Sequence, residues 1–261
     1  MSDVGSYRKN ILRIILDNVE PIPEVMAAWE GGSAANGTLD QYSDIDLCVL
    51  AKTPLQSVMD KIETALEVIG IDYGWQAKKS FFGEGMIQKV IVLKDSPKYF
   101  SVDVSIFDLQ DTNLLKEFLE VERHGVPRVL FDKENLIKPR HTDPEILFRQ
   151  HQERVEQIAQ AFPIFKTLVL KEIARGHEID AIGFYQNALV RPLIEVLGMI
   201  YRPFQADFGM RYVHSSFPPE LQKLITNLNY VASFEDLPAK VMEAEEAFHR
   251  AVELVREKTE L

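Results

Sequence analysis

Two aspartates separated by a single residue, Asp44 and Asp46, lie in the segment SDIDLCVL. Residues 45–51 (IDLCVLA) read as a strand, and strand residues two apart point to the same side. Asp44 and Asp46 therefore project together, while Ile45 and Leu47 face a core. Adjacent carboxylates repel and lose hydration unless a cation lies between them. Mg²⁺ suits such a pair because it prefers oxygen ligands and readily takes phosphate oxygens as well. A third acid follows on another predicted strand, 99–107 (YFSVDVSIF), where Val102, Val104 and Ile106 alternate against Ser101, Asp103 and Ser105. With the two strands as neighbours, Asp44, Asp46 and Asp103 converge. Such a set holds two Mg²⁺ ions about 3.5–4 Å apart and supports in-line displacement at phosphorus.

Upstream, Gly32-Ser33 ends the predicted strand 24–29 (EVMAAW) and opens a short helical turn. Glycine permits close backbone approach, and amides at a helix start bind phosphate oxygens. The Ser33 hydroxyl adds one more donor. Asp108 and Asp111 are expected beyond the strand, at a turn or helix cap. Cys48 shares a face with Asp46 and reads as a small buried filler.

The elements that must hold these residues in place come from periodicity. Ile11, Leu12, Ile14, Ile15 and Val19 predict an amphipathic helix over 1–19, and Pro54 opens a second through Val68. Further strands are expected at 71–77, 86–94 and 129–131, with a helix at 112–123 between the last two. Past Pro139 the strand signals mostly vanish. Helices are expected at 143–175, 178–200 and 238–258, with another starting at Phe217-Pro218-Pro219. Arg191-Pro192 and Tyr201-Arg202-Pro203 read as kinks or helix ends. The fold class is α+β: a mixed-sheet domain over 1–135 followed by an all-helical bundle over 136–261, the boundary falling in DKENLIKPRHTDP.

Gly32-Ser33, a ten-residue gap, Asp44-Ile45-Asp46-Leu47 and a later acidic strand residue together resemble the nucleotidyltransferase superfamily of DNA polymerase beta. The length and the helical second half are most similar to the antibiotic nucleotidyltransferases, the aminoglycoside adenylyltransferases and lincosamide nucleotidyltransferases. The likeness covers residues 31–50 closely and Asp103 by position, with a looser similarity over 170–197. It implies a nucleotidyltransferase catalytic domain followed by a helical substrate-binding domain. It also implies that Asp44, Asp46 and Asp103 bind two Mg²⁺ and carry catalysis, and that a nucleoside triphosphate, ATP as the expected co-substrate, rests over Gly32 and Ser33. An acceptor hydroxyl then attacks the α-phosphorus and pyrophosphate leaves. Asp103, or an acid of the helical half, would take the hydroxyl proton, and Lys171 is the candidate clamp for the β- and γ-phosphates. For Lys171, Glu172, Arg175 and Asp180 the favoured reading is nevertheless a solvated helix face, since such charges are common on any exposed helix.

Composition narrows the partners. The 261 residues carry 29 Lys and Arg against 40 Asp and Glu, a net charge of −11, which disfavours nucleic acid and suits a small, cationic, hydroxylated acceptor. Hydrophobic residues at 46% exclude wholesale disorder. One cysteine excludes a disulfide framework and a cysteine zinc site, and the six scattered histidines show no metal-ligand spacing. No signal peptide or membrane span is read, so a cytoplasmic location is expected; homodimerisation is compatible with the sequence. The competing function is a non-catalytic nucleotide-binding or antitoxin-like module of the same fold. Three retained acids favour the enzyme, since they are costly to keep without a cation.

Overall fold

The computed structural model describes residues 4–52, 54–78 and 84–259. The chain divides into two compact units, Met1–Thr142 and Asp143–Leu261. The first is built on a six-stranded mixed sheet and the second is mostly helical.

In the first unit, α1 (Val4–Val19) leads into β1 (Val25–Glu30), the one-turn helix α2 (Gly32–Ala35) and β2 (Ile45–Ala51). Next come α3 (Leu55–Leu66), β3 (Ile71–Gln76), β4 (Met86–Leu93) and β5 (Val102–Asp108). Short helices α4 (Thr112–Phe118) and α5 (Val121–His124) precede β6 (Arg128–Asp132). The sheet order is β3-β4-β5-β2-β1-β6. Only β2 and β5 run parallel; every other neighbouring pair is antiparallel. A parallel pair needs a crossover, and α3 lies within the one joining β2 to β5.

The two faces of the sheet differ. Ile45, Leu47 and Val49 of β2 and Val102, Val104 and Ile106 of β5 pack with Ile11 and Ile15 of α1 and Met59 and Ile62 of α3. The opposite face is apolar only in part, where Trp29, Leu50, Phe107, Leu115 and Leu119 cluster. The remainder of that face carries Asp46, Cys48, Asp103 and Gln88, all partly exposed. Period-two alternation on two strands thus gives one sheet a sealed side and a polar side.

Two expectations need correction here. The helix expected over 112–123 is broken into α4 and α5, because Glu120 takes an extended conformation (ψ 113°). It bridges Arg140: the Val121 amide donates to the Arg140 carbonyl at 3.0 Å, and the Arg140 amide donates to the Leu119 carbonyl at 3.0 Å. Asp108 is the last residue of β5 rather than a turn residue beyond it, although its carboxylate still accepts from the Gln110 amide at 2.8 Å. Asp111 does cap α4, accepting from the Leu114 amide at 3.0 Å. The first three residues of the helix expected over 1–19 lie outside the described residues.

The helical unit comprises α6 (Pro144–Arg175), α7 (Glu178–Tyr185), α8 (Arg191–Tyr201), α9 (Val213–Ser216), α10 (Pro219–Asn229) and α11 (Leu237–Thr259). A π-helical stretch, Gln186–Val190, joins α7 to α8 immediately before Arg191-Pro192. Proline cannot donate to the preceding turn, and the wider turn absorbs the mismatch. The unit has its own core. Phe162 and Phe248 stack with ring centroids 3.8 Å apart, and the buried Tyr185 hydroxyl donates to the Leu228 carbonyl at 2.9 Å. Among the described residues no helix is long and apolar enough to cross a membrane.

Candidate active site

The polar side of the sheet is assembled by strand register. Asp46 of β2 pairs with Asp103 of β5, and Cys48 pairs with Ser105. Asp44 sits at the entrance to β2, and its Oδ2 accepts from Ser101 Oγ at 3.2 Å. Gln88 of β4 donates through Nε2 to both carboxylate oxygens of Asp103, at 2.9 and 2.8 Å. The sequence reading missed Gln88, although its alternation with Met86 and Val90 in MIQKVIVLK placed it on a common face.

The glycine turn is docked against the same carboxylates. The Gly31 amide donates to the Asp46 carbonyl at 2.9 Å. Gly32 has φ +50°, the left-handed region that disfavours side chains. A Cβ there would stand 1.7 Å from Asp46 Oδ2, so any other residue would displace that carboxylate as well as strain the backbone. Ser33 follows, its hydroxyl buried with no hydrogen-bond partner among the described residues. A buried, unsatisfied hydroxyl is costly unless a ligand atom completes it. The α2 carboxyl end is held from below: the Val126 amide donates to the Ala35 carbonyl at 3.1 Å.

Electrostatics set the carboxylates apart. Asp103 holds its proton more tightly than an ordinary aspartate, chiefly because burial penalises its charge. The Gln88 hydrogen bonds oppose this rise and the negative charge of Asp44 adds to it. Burial, with Asp46 and Asp103 nearby, pushes the Cys48 thiol far up, so it is neutral and a poor nucleophile.

A fully buried acid stands directly behind the turn. Glu30 ends β1 with no solvent exposure and accepts from Arg8 Nη2 of α1; Arg128 Nη1 of β6 lies 3.1 Å from its other oxygen. Arg8 Nη1 also donates to the main-chain carbonyl of Asp44. Neither Arg8 nor Glu30 was expected from the sequence. Lys171 lies in the helical unit, exposed on α6. Nearby, Glu172, His177 and Asp180 bring one ligand atom each within 4.8 Å of one another, with Glu172 paired to Arg175 at 2.5 Å.

The structure therefore gathers Asp44, Asp46, Asp103, Gly32 and Ser33 on one polar sheet face, with donors aimed at two of the acids. Residues 5–121 match the nucleotidyltransferase domain family, and the chain carries a nucleotidyltransferase domain over that stretch. The transfer that this class performs is of a nucleotidyl group.

Solved structures match the chain at low identity and low TM-score. An aminoglycoside 6-adenyltransferase from Bacillus subtilis matches 96% of this chain and 90% of its own at 12% identity, with a TM-score of 0.37. A spectinomycin adenyltransferase, AAD(9), from Enterococcus faecialis, solved with ATP and spectinomycin, matches 98% and 99% at 12% identity and a TM-score of 0.32. A nucleotidyltransferase-like protein from Exiguobacterium sibiricum matches 94% and 74% at 13% identity and 0.39. Likeness at this level does not fix a substrate. No curated protein matched the chain in sequence.

Proposed function

We propose that the chain transfers a nucleoside monophosphate from a nucleoside triphosphate, with ATP as the expected donor, to a hydroxyl of a small cationic acceptor such as an aminoglycoside or lincosamide. The observation that carries this reading is the Asp46–Asp103 register pair set against a glycine turn whose neighbouring Ser33 hydroxyl is buried without a partner.

The residues fit divalent metal. Asp44, Asp46 and Asp103 offer oxygen donors on one side of the sheet, the set that Mg²⁺ prefers. Bound there, Mg²⁺ would neutralise the charge that develops on the phosphate oxygens. The chain's own groups do the rest. Ser33 Oγ donates to a phosphate oxygen of the donor, completing its unsatisfied hydroxyl. The absent Cβ at Gly32 lets the turn lie directly against the Asp46 carboxylate. Gln88 holds the Asp103 carboxylate in one orientation, and Ser101 does the same for Asp44. Asp103 receives the acceptor hydroxyl's proton as the oxygen bonds to the α-phosphorus and the bond to pyrophosphate breaks. The acidic chain attracts a cationic acceptor and repels nucleic acid.

Calorimetric titration of Mg²⁺ with ATP into the wild type and into Asp44→Ala/Asp46→Ala tests the site. The reading expects nucleotide affinity in the double variant to fall at least ~10-fold. Equal affinity in both proteins would remove the metal argument. Pyrophosphate release across a panel of hydroxylated aminoglycosides and lincosamides then tests the transfer.

A further inference from the structure

The proposed chemistry does not use the ion pair beneath the site. Arg8 is 6% exposed and Glu30 is 0% exposed. Both lie on the helix-covered side of the sheet, away from Asp46 and Asp103. Burying two charges removes both from water, and apolar side chains of similar volume would often fill such a space at less cost. What apolar residues could not supply is the set of connections. Arg8 projects from α1, and one of its terminal nitrogens donates to Glu30, the residue before Gly31-Gly32-Ser33. The other donates to the Asp44 carbonyl, at the mouth of β2. A single planar guanidinium therefore joins the backbone that carries the phosphate turn to the backbone that carries the first carboxylate. The Arg8 stem packs in the apolar stripe that continues through Ile11, Leu12 and Ile15.

We infer that Arg8, anchored by Glu30, is a positioning residue that sets the spacing between the Gly31–Ser33 turn and the Asp44–Asp46 carboxylates. The inference rests on the reading above, in which those carboxylates hold metal with nucleotide. The fork geometry is essential. Lysine keeps the charge but is a point donor, so it cannot span Glu30 and the Asp44 carbonyl as the two arms of arginine do. A general stabilising role predicts something different: any comparable loss of packing under the sheet would disturb the site equally.

The full-length chain is tested as wild type, Arg8→Lys, Glu30→Gln and Ile15→Ala, the last removing buried α1 packing without touching the pair. Two readouts are independent of turnover. The first is Mn²⁺ affinity by electron paramagnetic resonance in the presence of ATP. The second is hydrogen exchange, in metal-free protein, at the Gly31 amide, bonded to the Asp46 carbonyl, and the Ile45 amide, bonded to the Ser101 carbonyl. Arg8→Lys and Glu30→Gln are expected to weaken Mn²⁺ binding ~10-fold or more and to speed exchange at both amides by a similar factor. Ile15→Ala, despite a lower melting temperature, should leave both readouts within about threefold of wild type. If either pair variant fails to fold, Arg8→Met combined with Glu30→Gln, which removes both charges together, carries the same expectation.

Mn²⁺ affinity and exchange in folded Arg8→Lys within about twofold of wild type would overturn the inference. So would equal loosening by Ile15→Ala. If Asp44→Ala loses Mn²⁺ while the Arg8 and Glu30 variants keep it, the site reading stands and this inference alone falls. If the wild type binds no Mn²⁺ with ATP, both fall.

Discussion

Replacing Gly32 by alanine tests the site geometry most directly, since the perturbation is a single methyl group whose neighbour is known. The added Cβ would meet Asp46 Oδ2 at 1.7 Å, where real Cβ contacts essentially never fall under 3.0 Å. The carboxylate must therefore retreat by more than ~1 Å, or the turn must lift away from β2 by as much. The turn is restrained by the Gly31 amide on the Asp46 carbonyl, so the side chain is the part that moves. In addition, φ +50° costs a residue with a Cβ about 1–2 kcal/mol. For a unit of this size that corresponds to a fall of roughly 3–8 °C in melting temperature. The functional loss should exceed the stability loss. Mg²⁺ demands oxygen distances near 2.0–2.1 Å, and a shift of ~1 Å in a positioning contact costs ~100-fold in rate. Melting followed by circular dichroism gives the first quantity; Mn²⁺ affinity with ATP, and turnover once an acceptor is found, give the second. A folded Gly32→Ala protein whose Mn²⁺ affinity matches wild type would refute the claim that the turn and Asp46 form one site.

Other outcomes follow from the same geometry. Asp103 binds its proton more tightly folded than unfolded, so its ionisation subtracts stability as pH rises through the folded value. Asp103→Asn should accordingly melt higher than wild type at neutral pH without metal, while binding Mn²⁺ at least ~10-fold more weakly with ATP. Wild-type Mn²⁺ affinity should fall on acidification at a pH above the ordinary aspartate range, and that component should vanish in Asp103→Asn; an unchanged profile would contradict the assigned role. In the helical unit, Tyr185→Phe leaves the buried Leu228 carbonyl without its donor and should cost about 1–2 kcal/mol, read from denaturant unfolding, with no effect on Mn²⁺ binding.

What could be read from the chain alone follows how local the cause is. Alternation is local, so SDIDL and SVDVSIF declared which acids share a face, and the structure lays Asp46 beside Asp103. Their adjacency is not local: β2 and β5 are parallel and separated by α3, β3 and β4, so only packing decides that they touch. The break at Glu120 is hidden for the same reason, because its cause is a bridge to Arg140 twenty residues on. Glu30 was misleading in its own way. Between EVMAAW and GG it looks like the first polar residue of a turn, whereas it is the last residue of a buried strand and its charge is met by Arg8. A signal for Arg8 was nevertheless present. It stands three and four residues before Ile11 and Leu12 and seven before Ile15, in step with the apolar stripe of α1. A cation on the buried face of a helix needs a partner acid inside the fold. The acid that meets it is Glu30, two residues before the glycine whose missing Cβ leaves room for the Asp46 carboxylate.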